Sequence, residues 1–335
     1  MAAASASKPK YTAYIIAGGK KYNITPAIED IDISDRNKQI ANSVTIKLAN
    51  AKVKNEWLTS LLGVRNRVYL YADDGKQKKE VFRGFVWDRP YRSSASEKLL
   101  TLKCYDNLIY FQKSDHSAYF SAGQSTKDIC TSLCDSWGVK LEYTYESITH
   151  SKLPLRGNLS DIFTSDILDI VKDKTGKKYV ILSDKDVMQI KTVGTNSTVY
   201  RFTADQNTIQ TYSSCTMDGM VTKVIILGKA DDDERQPIEE TVVGDTETYG
   251  TLQKTINRDD NTSSEEAKEE AQSIIDKNGK PKWEYELHAP DVPWIRKGDK
   301  IYVNAGDMSG HYIVTGINRT IGRKKRDMIL DLEDL

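Results

Sequence analysis

The chain has 335 residues, enough for two or three domains, and its 39% hydrophobic and 29% charged residues match an ordinary globular protein that can bury a core. Lysine plus arginine and aspartate plus glutamate each number 48, and this zero formal charge argues against a dedicated nucleic-acid binder or a polybasic membrane module. The longest apolar run, Val224-Ile225-Ile226-Leu227, is strand-sized and far short of the ~18 residues of a membrane helix, while Cys104, Cys130, Cys134 and Cys215 are too scattered for a disulfide framework, so assembly in a reducing cytoplasm is expected.

The first ten residues lack the apolar segment of a secretory signal and read as an arm. Tyr14-Ile15-Ile16 and Lys21-Tyr22-Asn23-Ile24 flank Gly18-Gly19 as a hairpin, and Val44, Ile46 and Leu48 alternate with polar residues as a half-buried strand should. Val53, Trp57, Leu58, Leu61 and Leu62, stopping before Gly63, predict a helix over 51–62. Strands follow at Arg67–Tyr71, Phe82–Val86 and Leu100–Asp106, with turn chemistry at Asp73-Asp74-Gly75. Residues 114–205 change character: helices at 125–137 and 159–173 and strands at 139–144, 178–183 and 187–192 predict an α/β insertion. The first of these helices opens with the capping-box-like Ser125…Asp128 and ends at Gly138. Beyond it, 206–335 returns to strand patterning, interrupted by an acidic loop and helix excursion over 230–280. The excursion's helix, 264–277, has only a thin stripe of Ala267, Ala271, Ile274 and Ile275 and belongs on a surface. Asp231–Glu234 and Arg323–Arg326 are charge runs, read either as solvated loop tips or as contacts with a neighbouring subunit or passing nucleic acid.

Both ends of the chain carry a strand with a central tyrosine, a turn, a strand with glycine, a loop and an alternating strand ending in Asp. The first series is Arg67–Tyr71, Phe82–Val86 with Gly84, and Leu100–Asp106; the second is Lys300–Val303, Val314–Ile317 with Gly316, and Met328–Asp334. Either the chain holds two copies of one small barrel, with Tyr69 matching Tyr302 and Gly84 matching Gly316, or two unrelated meanders look alike. The duplicated reading gives a mainly β fold with an α/β insertion: a first barrel at 1–113, the insertion at 114–205 and a second barrel at 206–335.

No constellation for chemistry stands out. Cys130 and Cys134 are four apart rather than C-x-x-C, and they share a stripe with Ile129, Leu133 and Trp137, so they read as core. His116, His150, His288 and His311 are scattered, and nucleophile-elbow and phosphate-loop motifs are missing. A carboxylate pair for glycoside hydrolysis stays open among so many acids, although Trp57, Trp87, Trp137, Trp283 and Trp294 are dispersed rather than gathered along a carbohydrate cleft. The expectation is therefore no catalytic, cofactor or metal site.

Several segments, in order, resemble the phage tail hub proteins of the late-control-D class, nearest the XkdQ/YqbQ branch of PBSX-type defective prophages. They are Phe82–Val86, Leu102–Phe111, Ser125–Ile129, Lys174–Ile181 and Ile295–Val303, and they span nearly the whole chain, though none is specific alone. The resemblance implies a homotrimer in which two tube-type β-barrels per chain make a pseudo-sixfold ring around a channel. Such a hub joins the tail tube protein to the central spike and the baseplate wedges, with the tape measure protein a further candidate contact, and involves no specific nucleic acid and no membrane insertion. A tail-associated peptidoglycan hydrolase and a receptor- or carbohydrate-binding tail protein are the alternatives.

Overall fold

Period-two alternation decides most of this molecule. The computed structural model describes residues 8–37, 39–95, 98–228, 236–258, 262–323 and 325–335, with the backbone pairing of residues 2–3. The main strands are β1 (Lys10–Ala17), β2 (Ile28–Asp35), β3 (Ser43–Ala49), β4 (Arg67–Asp73), β5 (Lys78–Asp88), β6 (Lys98–Tyr105), β7 (Lys300–Ala305), β8 (Met308–Gly322) and β9 (Arg326–Asp334). Most bury alternate side chains, such as Val44, Ile46 and Leu48 on β3 and Val68, Leu70 and Ala72 on β4, whereas β8 also buries the consecutive run Tyr312, Ile313 and Val314.

These strands belong to one sheet, in the order β7-β8-β2-β3-β6-β5-β4-β1 with the short strand Lys20–Asn23 at the β1 edge. β8 makes the sheet continuous. On one side its first part pairs with β7, from Ala305↔Met308 to Lys300↔Ile313, and its second part pairs with β2, from Ile317↔Asp35 to Gly322↔Asp30. On its other side it pairs with β9 along most of its length. The expected barrels are therefore not seen as closed rings: among the described residues no pairing carries the β1 edge back to β2, because β2 spends its second edge on β8. Two separate cores remain. Ala13, Ile15, Ile46, Leu70 and Leu102 lie in the first, and Phe202, Leu287, Val303, Val314 and Leu330 in the second.

The two meanders share order but not register. Tyr69 faces Arg83 and Val68 faces Gly84, whereas Tyr302 faces His311, five residues before Gly316. The glycines still do similar work. A Cβ at Gly84 would lie 2.1 Å from the Tyr105 carbonyl oxygen, and one at Gly316 would lie 2.2 Å from Asp331 Oδ2, so both positions admit a closely approaching neighbour strand. A bulge interrupts β8–β9 between Val314 and Gly316.

The helix expected at 51–62 is instead a hairpin, Lys52–Val53 with Glu56–Trp57, followed by one turn at Leu58–Leu61. Lys54 and Asn55 take left-handed conformations (φ 50° and 66°), which a helix cannot contain, and Trp57 is 45% exposed, so the apolar spacing was not one buried stripe.

The insertion follows its sequence closely. Helix α1 (Thr126–Ser136) starts at Ser125, whose hydroxyl accepts the Asp128 N–H, and the chain leaves it through Gly138 at φ 65°. The second helical run, 159–175, contains a π-helical stretch at Ile162–Leu168. That wider turn puts Ile162 and Phe163 above Ile167 and Leu168, so all four are buried. Strand Val187–Thr192 pairs in parallel with Lys140–Thr144 and antiparallel with Tyr179–Asp184. Ile40 and Ala41, from the loop between β2 and β3, complete this core.

Residues 213–284 form a second compact unit. Strand Lys223–Leu227, expected within the second barrel, instead pairs with Ile238–Val243 and Gln253–Asn257. Helix α2 (Ser264–Asn278) begins with a full capping box at Ser263 and Glu266 and lays Ala267, Ala271 and Ile275 on Val224, Ile226 and Val242. A parallel pair needs apolar cover, and the α2 stripe supplies it to Val224 and Ile226 of the central strand and Val242 of its neighbour. The acidic run Asp231–Glu234 and Lys324 of the basic run lie outside the described residues.

Cys130 and Cys134 are fully buried on the inner side of α1, with Cys134 Sγ 3.6 Å from Met188 Sδ. Burial pushes both thiols up, Cys134 to about 12. Cys130→Ser and Cys134→Ser should each lose about 1–3 kcal/mol in denaturant unfolding by placing a hydroxyl in an apolar site. Metal analysis should find no stoichiometric zinc lost in either variant.

Candidate assembly surface and its supporting junction

With one side of the sheet buried, the other side of β2 to β6 presents the alternate set of residues. On β2, β3 and β6 these are Asp30, Asp32, Ser34, Ser43, Thr45, Lys47, Thr101 and Lys103. Lys47 Nζ lies 3.8 and 3.7 Å from the Asp30 and Asp32 carboxylates, Lys103 Nζ lies 3.1 Å from Asp88, and Ser34 donates to Asn318 on β8 at 2.7 Å. The result is a hydrophilic face whose cations sit beside carboxylates. These exposed pairs contribute little stability, ~0–1 kcal/mol each. Their consequence is a low net field.

Toward β5 and β4 the same face becomes aromatic and cationic. Trp87 sits edge-on to Tyr105 and Tyr110 at 6.2 and 5.8 Å, and Phe85 to Tyr110 at 6.3 Å. Arg65 covers the Phe85 ring at 4.9 Å, Arg67 covers it at 4.5 Å, and Arg83 covers Tyr69 at 5.2 Å. Arg67 and Arg83 both pair with Asp186 at the tip of the hairpin 179–192, where Lys185 and Asp186 hold left-handed conformations. Asn107 Nδ2 donates to the Asp186 carbonyl at 2.9 Å and Ser183 Oγ donates to Asn107 Oδ1 at 2.7 Å. The insertion is thus pinned to the sheet by polar contacts at one hairpin tip.

The junction behind this face is built on the loop 291–299. Asp291 is 3% exposed and accepts Arg319 Nε at 2.9 Å and the Tyr11 hydroxyl at 2.5 Å. Arg319 also donates to the Val292 and Ile295 carbonyls at 3.1 and 2.6 Å. Lys297 donates to Asp35 at 2.7 Å and to the Gln39 and Arg36 carbonyls at 2.6 and 3.3 Å. Trp294 Nε1 donates to Asp74 at 2.8 Å, and Arg296 reaches the Ser183 carbonyl at 2.7 Å. Gly298 completes the fit: its φ is 84°, and a Cβ there would strike Val180 at 2.6 Å. One loop therefore touches β1, β2, β8 and the insertion.

A cleft of about 210 Å³ opens at the centre, lined among others by Tyr11, Asp35, Asn42, Asp106, Trp294 and Arg319. Burial pushes Asp106 up to about 7, against the pull of the Asn42 and Leu108 amides. Burial also raises Asp291, with Arg319 opposing it, and lifts Tyr11 well above the usual phenol range. No cluster of three or more His, Cys, Asp or Glu able to hold a metal occurs among the described residues.

The candidates singled out from sequence stay apart. His116 packs edge-on to Trp137, His150 bonds Thr126 at 2.8 Å, His288 bonds Asp327 at 2.6 Å, and His311 packs edge-on to Tyr302. Gly18 and Gly19 form the turn between β1 and Lys20–Asn23. Asp106, Asp291, Lys297 and Arg319 were not anticipated. The available signal was Pro290-Asp291-Val292-Pro293-Trp294, in which two prolines and a tryptophan around one acid mark a rigid, buried loop.

The chain thus folds as a continuous, mainly β sheet with an α/β insertion and, over residues 213–284, a small α/β unit, and the polar face of the sheet is its candidate assembly surface. Residues 31–333 match the YQBQ-like family model, and the chain belongs to that family. Searching curated proteins gives no match. Solved structures of similar fold include a tail protein of Neisseria meningitidis, with TM-score 0.69, 14% identity, and 97% of this chain and 96% of that one covered. The 43 kDa tail protein of prophage MuSo2 from Shewanella oneidensis gives TM-score 0.69 and 14% identity over 97% and 98% of the chains. An E. coli type VI secretion component described as structurally similar to phage T4 gp27 and gp5 gives TM-score 0.57 and 9% identity over 96% and 76%.

Arg319→Met should lower unfolding free energy by about 3–5 kcal/mol, because Asp291 would keep a buried, unpaired charge. Adding Asp291→Asn to that variant should recover part of the loss, a non-additivity that chemical denaturation of the single and double variants measures.

Proposed function

We propose that this protein is the hub of a contractile phage tail or tail-like injection particle, a homotrimer in which the two core-bearing halves of each sheet act as two tube-like modules. Three chains would then present six modules around a channel, matching the sixfold tail tube on one side and the threefold central spike on the other. The observation that carries this reading is the pair of meanders of like strand order, each with its own core, held in one sheet by β8. A rigid doublet is what a threefold ring needs if it is to imitate sixfold symmetry.

The hydrophilic face of β2, β3 and β6 suits the channel side, since its lysines are matched by Asp30, Asp32 and Asp88 and present little net charge to a passing polymer. The remaining partners, the tail tube protein, the spike, the baseplate wedges and the tape measure protein, would be met through sheet edges, the insertion and the 213–284 unit. Assembly would take place in the bacterial cytoplasm. The role is binding, not catalysis; no feature of the site favours the hydrolase or receptor-binding alternatives.

Native mass spectrometry of the purified chain, with and without its tail tube protein, should give a species of three 37.8 kDa subunits. Electron microscopy of the particle should place three copies in one ring coaxial with the tube. Six copies, or single copies on the periphery, would exclude the hub role. Cell-wall lysis by the purified chain that one Asp, Glu or His substitution abolishes would replace it with an enzyme.

A further inference from the structure

The hinge where the insertion leaves the sheet holds a carboxyl with an unusual setting. Asp106 follows the last residue of β6 and precedes the one-turn helix Ile109–Gln112, and it is 3% exposed. Its Oδ2 accepts the Asn42 N–H and its Oδ1 the Leu108 N–H, both at 3.0 Å, while its own N–H donates to the Asn42 carbonyl at 3.1 Å. One side chain therefore ties the loop 36–42 to the root of the insertion. That loop is held from its other side by Lys297, through Asp35, the Arg36 carbonyl and the Gln39 carbonyl, and it inserts Ile40 and Ala41 into the insertion's core. Asn42 Oδ1 is buried here with no partner, so the site has polar capacity it does not use when closed.

The charged groups acting on Asp106 are Asp35, at the end of β2, and Lys297, from the loop 291–299. Lys297 is already engaged with Asp35, and among the described residues no cation forms an ion pair with Asp106. A carboxylate buried without its own counter-ion is costly, and two amide donors offset only part of that cost. We infer that Asp106 is a proton-controlled latch, closed when protonated, whose ionisation loosens the hold of the loop 36–42 on the root of the insertion.

The sign follows from linkage. In the closed hinge Asp106 keeps its proton up to about pH 7, whereas an exposed aspartate loses it near 3.8. Opening therefore releases a proton between those two values, and the opening equilibrium should rise by about tenfold per pH unit across that window and level off above it. The latch is firm in mild acid and weakest above neutrality.

Hydrogen exchange of the full-length chain, corrected for the intrinsic pH dependence of amide exchange, tests this directly. Opening of peptides covering 36–42 and 106–112 should rise at least tenfold from pH 5 to pH 8, while peptides in β4 stay unchanged. Asp106→Asn should flatten that response in both peptides. Wild-type opening that does not change with pH, or an undiminished response in the variant, overturns the latch. If the variant does not fold, carboxyl NMR of the wild type decides: the assigned Asp106 resonance must titrate near neutrality, and an ordinary aspartate midpoint for Asp106 refutes the proposal. Because these readings need no trimer, they stand or fall independently of the hub role.

Discussion

The loop 291–299 makes a set of buried charged contacts on which the arrangement of the larger unit depends. Arg319 on β8 reaches Asp291, and Asp291 reaches Tyr11 on β1, so two strands at distant positions in the sheet are tied through one carboxylate. Lys297 does the same for the turn after β2. Side-chain exposures of 8% and 0% for the Arg319–Asp291 pair mean that neither charge is hydrated, and such a pair adds little net stability compared with apolar packing. What it adds is selectivity among arrangements. Any other placement of the loop would strand a buried charge, and all of the donor groups described for Arg319 and Lys297 find acceptors only here.

That constraint explains why β8 can serve two halves. A strand running from Met308 to Gly322 must change partner from β7 to β2 along one edge, and the bulge at Val314–Gly316 lies where the change occurs. Val314 donates to the Asp299 carbonyl and Gly298 to the Val314 carbonyl, so the interval between the two partners is filled by the loop itself. Backbone groups that would otherwise be orphaned inside the sheet are thereby satisfied. The consequence for function is stiffness: two cores share one strand, and the polar face above them is held as one surface.

Much of this could be read in the chain. Alternation located the strands, Ser125 and Gly138 bracketed α1, and the stripe of Ala267, Ala271 and Ile275 announced a surface helix. The hairpin at 52–57 was misread because Val53, Trp57, Leu58 and Leu61 have helical spacing, while the left-handed pair Lys54-Asn55 gives no compositional warning of the kind Asn-Gly would give. The strand at 223–227 falls outside the second barrel to which its sequence points, because a run of four aliphatic residues suits any buried strand equally well. No period in the sequence could have paired Asp291 with Arg319 or Lys297 with Asp35, since those partners are 28 and more than 250 residues apart.

By itself, then, the sequence determined a mainly β protein with an α/β insertion, a surface helix on an excursion, buried cysteines and an order of segments belonging to the tail proteins. Those are local properties, set by side-chain periodicity, capping and turn chemistry within a few residues. The tertiary structure alone decided that the two meanders join through β8, that their glycines fall at different registers, and that Asp106 is buried at the hinge. These depend on which edge meets which, and on whether a charge finds its partner across the chain. A pattern of near neighbours does not encode either.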